Sequence, residues 1–114
     1  MAEGAEGATV AKGYWIGHVD VLDPAPYLEY AKLAKVAVEK YGGVYLVRAG
    51  DAERVEGAWR QRPVLIEFES YQRALDCYDS DDYQAAKRVR TEADAAAVDL
   101  LIVEGSDNRL PGMK

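Results

Sequence analysis

The sequence predicts an α+β domain of ferredoxin-like βαββαβ order: a four-stranded antiparallel sheet carrying its helices on one face. Three observations predict it. Four short runs rich in β-branched and aromatic residues, at 14–21, 44–49, 64–69 and 99–104, alternate with stretches of helical periodicity. The first helical stretch is bracketed by a start signal, Asp23-Pro24, and a stop signal, Gly42-Gly43. The strands at 64–69 and 99–104 are apolar on both sides, although the chain has no helices to spare for a second layer.

Residues 1–12 are mostly Ala, Gly and Glu without periodicity and read as a flexible extension. The strand over 14–21 alternates two faces. Trp15, Gly17, Val19 and Val21 form one; Tyr14, Ile16, His18 and Asp20 form the other. Asp23 is placed to cap the next helix, with Pro24 at its first position. Tyr27, Tyr30, Ala31, Ala34, Val38 and Tyr41 recur at helical spacing until Gly42-Gly43. A second strand occupies 44–49. The polar segment 50–61 leaves room for a short hairpin around Arg54-Val55-Glu56, with Trp59 returning to the body. Pro63 precedes the third strand, at 64–69. Ser70 caps a second helix, and Ser80, followed by Asp81 and Asp82, restarts a third through about Glu92. The last strand is 99–104, and 106–114 read as a flexible tail.

This layout, residues 13–105, is one domain. Apolar residues on both sides of the strands call for a second layer, and a second copy of the chain laid sheet to sheet supplies it, so a homodimer is expected. The net charge of −6 argues against a nucleic-acid partner, which would need a basic surface. No apolar run approaches the roughly 18 residues of a membrane span. The opening residues lack the basic and apolar regions of a signal peptide, and Cys77 is the only cysteine, so a cytoplasmic location is expected.

A series of motifs carries a resemblance. Gly13-Tyr-Trp-Ile-x-His18-Val-Asp20-Val, then Asp23-Pro24 and Tyr27-x-x-Tyr30, are followed by Lys40-Tyr-Gly-Gly43, Leu46-Val-Arg48-Ala-Gly50 and Gly57-x-Trp59-Arg60. Leu65-Ile-Glu67-Phe68, Tyr78-Asp-Ser80-x-x-Tyr83-Gln-x-x-Lys87-x-x-Arg90 and Val103-Glu-Gly105 complete it. Over about Lys12 to Gly105 the chain resembles the domain-of-unknown-function family 1330. That family is similar in fold to the dimeric α/β-barrel superfamily, which also holds cofactor-independent monooxygenases, muconolactone-isomerase-like enzymes and haem-degrading enzymes. The resemblance implies the fold and a dimer, and assigns no function.

Among residues that could carry chemistry, His18, Glu67 and Arg48 fall on three neighbouring strands of the ferredoxin-like order. On one face, Glu67 would orient His18 as acid/base and pair with Arg48. The competing reading is a charge row that fixes register and dimer pairing. Asp20 is a second carboxylate near the helix start, or simply a turn-bonding residue. Tyr83, Lys87 and Arg90 share a helical stripe that could recognise a carboxylate, or pack and pair with a partner chain. Tyr27, Tyr30 and Tyr78 are the tyrosines best placed to reach a pocket.

One His and one Cys cannot build a structural zinc site, and no phosphate-binding glycine loop or hydrolase triad is present, so neither metal nor cofactor is expected. Cys77 has only Arg73 as a nearby basic residue and is not expected to be a nucleophile. Two functions fit this reading. One is binding of a small anionic or phenolic organic molecule, extending to a cofactor-free enzyme of monooxygenase or isomerase type. The other is a non-catalytic structural dimer or protein-interaction module.

Overall fold

In the computed structural model, which describes residues 11–106, the chain runs β1 (Gly13–Val21), α1 (Pro24–Lys40), β2 (Val44–Arg48), β3 (Arg62–Phe68), α2 (Tyr71–Asp79), α3 (Asp81–Glu92) and β4 (Ala96–Glu104). The expected flexible ends fall almost wholly outside those residues. The sheet order is β2-β3-β1-β4 with every neighbouring pair antiparallel, the ferredoxin-like order. Long-range pairing puts β1 in the interior of the sheet, where it meets β3 on one side and β4 on the other.

The alternation read from β1 is observed. Gly13, Trp15, Gly17 and Val19 are buried toward the helices, while Tyr14, Ile16, His18 and Asp20 look the other way. Trp15, Ile66 and Phe68 from the sheet meet Ala34, Ala37 and Val38 of α1, Ala74 and Cys77 of α2, and Tyr83 and Ala86 of α3. The alanines matter because a methyl side chain lets each helix backbone come close enough for the aromatic rings to fill the remaining space. Trp15 is 3% exposed, and its indole N–H donates to the Ala74 carbonyl at 2.9 Å, so the largest apolar group of the core leaves no orphan donor. Truncating a buried Trp of this kind costs about 3–5 kcal/mol.

Helix boundaries follow local chemistry, with one correction. Ser70 and Ser80 accept backbone N–H bonds from Arg73 and Tyr83 at 3.0 and 3.1 Å, as N-caps should. The Asp23 side chain, expected to cap α1, makes no capping bond. An N-cap oxygen bonds the N–H of the second or third helical residue, and here the third is Pro26, which has none. Gly42 ends α1 in the left-handed region at φ 79°, and the Gly43 N–H returns to the Val38 carbonyl at 2.9 Å.

Three sequence expectations shift. β4 begins at Ala96 rather than near 99, because its ladder with β1 extends to the Val21–Ala96 pair. β3 begins at Arg62, so Pro63 lies inside the strand, opposite His18. No hairpin forms around 54–56: residues 49–61 are an irregular connection that turns at Gly57, φ 81°.

α2 lies so close to the start of β1 that a Cβ on Gly13 would overlap the Ser70 carbonyl and the Tyr71 Cα, both backbone atoms. Gly13→Ala is therefore expected to destabilise the fold by about 1–3 kcal/mol, the range for overpacking, read as a lowered urea midpoint at unchanged slope.

Candidate functional site

The helix-side face of the sheet does not fill completely. Between α1 and the strands lies a cavity of about 310 Å³. Trp15, Ile66 and Val64 line it from the sheet, Tyr27, Tyr30 and Ala31 from α1, and Tyr83 from α3. Gly17 contributes space where any side chain would project from β1. A Cβ there would come within 2.8 Å of the Asp99 carbonyl and 3.1 Å of Leu100, so the residue also permits close approach of β4.

The cavity's polar groups are phenols and guanidiniums. The Tyr30 and Tyr83 hydroxyls lie 2.9 Å apart, sharing one hydrogen bond. Burial, reinforced by the adjacent Tyr83 hydroxyl, holds the Tyr30 phenol well above its ordinary value. Burial likewise pushes Tyr45 up to about 12. Both are therefore protonated at neutral pH and serve as hydrogen-bond donors rather than bases. Arg48 lies with its guanidinium 4.7 Å from the centre of the Tyr45 ring, and Arg62 lies 5.6 Å from that of Tyr27. Both arginines line the cavity.

The sheet register separates the residues that the sequence could not order. Arg48 pairs with Val64, which pairs with Gly17, so Arg48 belongs to the helix-side face. Glu67 pairs with Tyr14, and His18 pairs with Pro63, both on the opposite face. Glu67 and Pro63 are four residues apart on β3, roughly 13 Å along a strand, too far for Glu67 to orient His18. Instead Glu67 accepts the Tyr14 hydroxyl at 3.0 Å. The expected His18–Glu67–Arg48 row is thus not assembled, because its members divide between faces and ladder levels.

His18 has other company. Its Nδ1 accepts the Arg60 backbone N–H at 3.1 Å, Trp59 packs on its ring at 4.6 Å between centroids, and Asp99 Oδ2 is 3.8 Å away. With Nδ1 accepting, the neutral ring carries its proton on Nε2. Arg60 bridges Asp99 (3.0 Å) and Asp20 (3.1 Å), and the Gln61 N–H donates to Asp20 at 2.9 Å. These bonds fasten the 49–61 connection across the outer face. A shallower hollow of about 390 Å³ opens beside it, lined by Ile16, His18, Trp59 and Leu101.

The helical stripe also divides. Tyr83 and Arg90 converge on Tyr30, with the Arg90 guanidinium 5.0 Å from the ring centre. Lys87 turns away and donates to the Tyr78 hydroxyl at 2.9 Å. Tyr78 packs behind the cavity against Trp15 and Tyr83. Sequence reasoning missed Arg62, although continuing the alternation Phe68, Ile66, Val64 one step back would have placed it on the buried face. Asp99 and Arg60 had no such signal, since their meeting with His18 depends on register and on a loop path. Cys77 is fully buried, and burial pushes its thiol up to about 12, which leaves it unreactive. Among the described residues, no group of His, Cys, Asp or Glu is arranged to hold a metal ion, and no helix is long and apolar enough to cross a membrane.

A ferredoxin-like sheet with an aromatic cavity beneath its first helix defines a small α+β domain. More particularly, the sequence profile described as "Domain of unknown function (DUF1330)" matches residues 12–106, and the chain belongs to that family. Among solved structures it is similar to a protein of unknown function from Rhodopseudomonas palustris, with TM-score 0.63 and 15% identity over 93% of this chain and 94% of that one. A conserved protein from Methanosarcina mazei Go1 matches with TM-score 0.50 and 14% identity over 90% of this chain and 99% of that one. A protein from Caulobacter crescentus CB15, described as a candidate antibiotic biosynthesis monooxygenase, matches with TM-score 0.47 and 17% identity over 86% and 95%. No curated protein matches the sequence.

The outer-face fastening has a defined pH response. The Gln61 N–H and the Arg60 guanidinium hold the Asp20 carboxyl below its ordinary value of 3.8. Its contribution is complete above that value and is lost as pH falls through the lowered folded-state value. The Gln61 amide resonance, whose N–H is bonded to Asp20, should therefore move in acid. Asp20→Asn should show the acid position at neutral pH, and an unshifted variant spectrum would mean that Asp20 does not hold the loop.

Proposed function

We propose that this protein binds a small anionic or phenolic organic molecule in the cavity between α1 and the sheet. The observation that carries the reading is the cavity's make-up: an apolar wall of aromatic and aliphatic side chains with a few hydroxyl and guanidinium groups lining it. Ligand sites are concave and mostly apolar, with a few placed polar groups, and typically run from about 300 to 1,000 Å³. At about 310 Å³ this one suits a molecule of one ring and is too small for a dinucleotide or a haem.

The same residues define what the pocket contributes to chemistry. Protonated phenols and guanidiniums orient a ligand and stabilise negative charge on it, but they do not abstract a proton at neutral pH. A cofactor-free enzyme built on this site would therefore use the pocket for positioning and charge stabilisation. His18, on the opposite face, is supported better as part of the loop fastening than as acid/base for this cavity.

A second reading concerns the assembly and is favoured by a separate observation. The outer sheet face bears Ile16 and its cross-strand neighbour Leu101, 36% and 55% exposed, with Val44 and Val103 nearby on the same face. An apolar sheet face of this kind is stabilised by burial against a second sheet, and we read it as the surface of a homodimer.

Thermal-shift measurements against small carboxylates, phenols and quinones test the first reading. A class of compounds should raise the melting temperature by several degrees, because a ligand selective for the native state stabilises it by mass action. Ala31→Phe, which fills the cavity, should abolish that shift; a flat response across the panel would remove the binding reading. Sedimentation tests the second: the native chain should run as a dimer and Leu101→Glu as a folded monomer.

A further inference from the structure

The arginines that line the cavity have no counter-charge from the described residues of the protein. Arg60 is paired with two carboxylates, as expected in a protein with a net charge of −6. No Asp or Glu lines the cavity, and among the described residues neither Arg48 nor Arg62 forms an ion pair. The Arg62 Nε, like that of Arg90, is buried with no hydrogen-bond partner. That enclosed nitrogen is out of a ligand's reach, but an anion on the terminal nitrogens of the same guanidinium offsets the charge buried with it.

Position strengthens the point. Arg48 pairs with Val64, and Arg62 stands two residues from Val64 on the same strand and face, so the two arginines are diagonal neighbours across β2 and β3. Each lies against a tyrosine ring, Tyr45 or Tyr27, which restrains its planar fork. Four residues along β1 from the partner of Arg62, Trp15 packs against Tyr83 at 5.0 Å. There the Tyr30–Tyr83 pair uses one hydroxyl proton for its mutual bond, and the other has no acceptor among the described residues. The cavity thus offers paired cations toward one end and a single neutral donor toward the other.

Resting on the pocket reading above, we propose that the ligand is a single-ring carboxylate with a second oxygen across the ring, of the hydroxybenzoate kind. Its carboxylate lies on Arg62 and Arg48, and its distal oxygen accepts from the Tyr30–Tyr83 pair. A fork-shaped guanidinium matches a planar carboxylate with two parallel hydrogen bonds.

Calorimetric titration with para-hydroxybenzoate, benzoate, para-hydroxybenzamide and phenyl phosphate tests this. The acid should bind about tenfold or more tighter than its amide, the scale of a hydrogen bond to a charged group. Arg62→Gln and Arg48→Gln should each erase that preference. Arg48 is solvent-exposed, so its variant keeps the test valid even if the Arg62 variant folds poorly. Tyr83→Phe should remove the advantage of para-hydroxybenzoate over benzoate. Equal binding of acid and amide would overturn the carboxylate assignment and leave the pocket reading standing. Tighter binding of phenyl phosphate than of benzoate would overturn it in favour of a phosphoryl group. Failure of all four to bind would bring down the pocket reading with it.

Discussion

Burial of Trp15 holds the molecule together. Its ring sits on the interior strand, meets Phe68 of β3, Tyr78 of α2 and Tyr83 of α3, and ties its N–H to the α2 backbone. Sheet and helices are therefore referenced to one side chain. The cavity depends on it as well. Trp15 fills the space beneath α2 and α3, and the next helix-facing position on β1 is Gly17, where the filling stops. A bulky residue followed by an absent one converts a packed layer into a layer with a hollow.

The fold was legible because it rests on local and periodic signals. The two-face alternation of β1, the glycine stop of α1 and the serine restart at Ser80 each act through chemistry within a few residues. Asp23 misled as a cap, ahead of a helix whose third residue, Pro26, lacks one of the two N–H groups such a cap can bond. The site was only half legible. That Tyr27, Tyr30 and Tyr83 face the helix-side space follows from helical spacing, and Arg48, singled out as a candidate, lines the same cavity. What could not be read was register. Whether His18, Glu67 and Arg48 meet is decided by which residues stand opposite one another across two ladders, a non-local property. Arg60 was beyond reach because its partners are set by the path of an irregular loop.

The two faces of the sheet divide the charge economy of the chain. Outside, Arg60 is neutralised twice and His18 accepts a backbone N–H, beside exposed apolar groups such as Ile16 and Leu101. Inside, the arginines lie on aromatic rings without counter-charges. Such an arrangement leaves the interior face with guanidiniums that no carboxylate among the described residues neutralises and the exterior face with exposed apolar surface.

The alanines between helices and sheet carry a consequence for selectivity. Ala31 and Ala34 have no side-chain rotamers to lose, and Trp15, Tyr27 and Tyr30 have only two torsions each, further restrained by stacking. A wall of this composition is already ordered before anything enters, so occupancy demands little additional loss of conformational entropy. The same stiffness prevents the wall from remoulding around a poorly shaped guest. The hollow should therefore behave as a template that discriminates by outline, accepting flat rings and rejecting branched isomers of equal polarity.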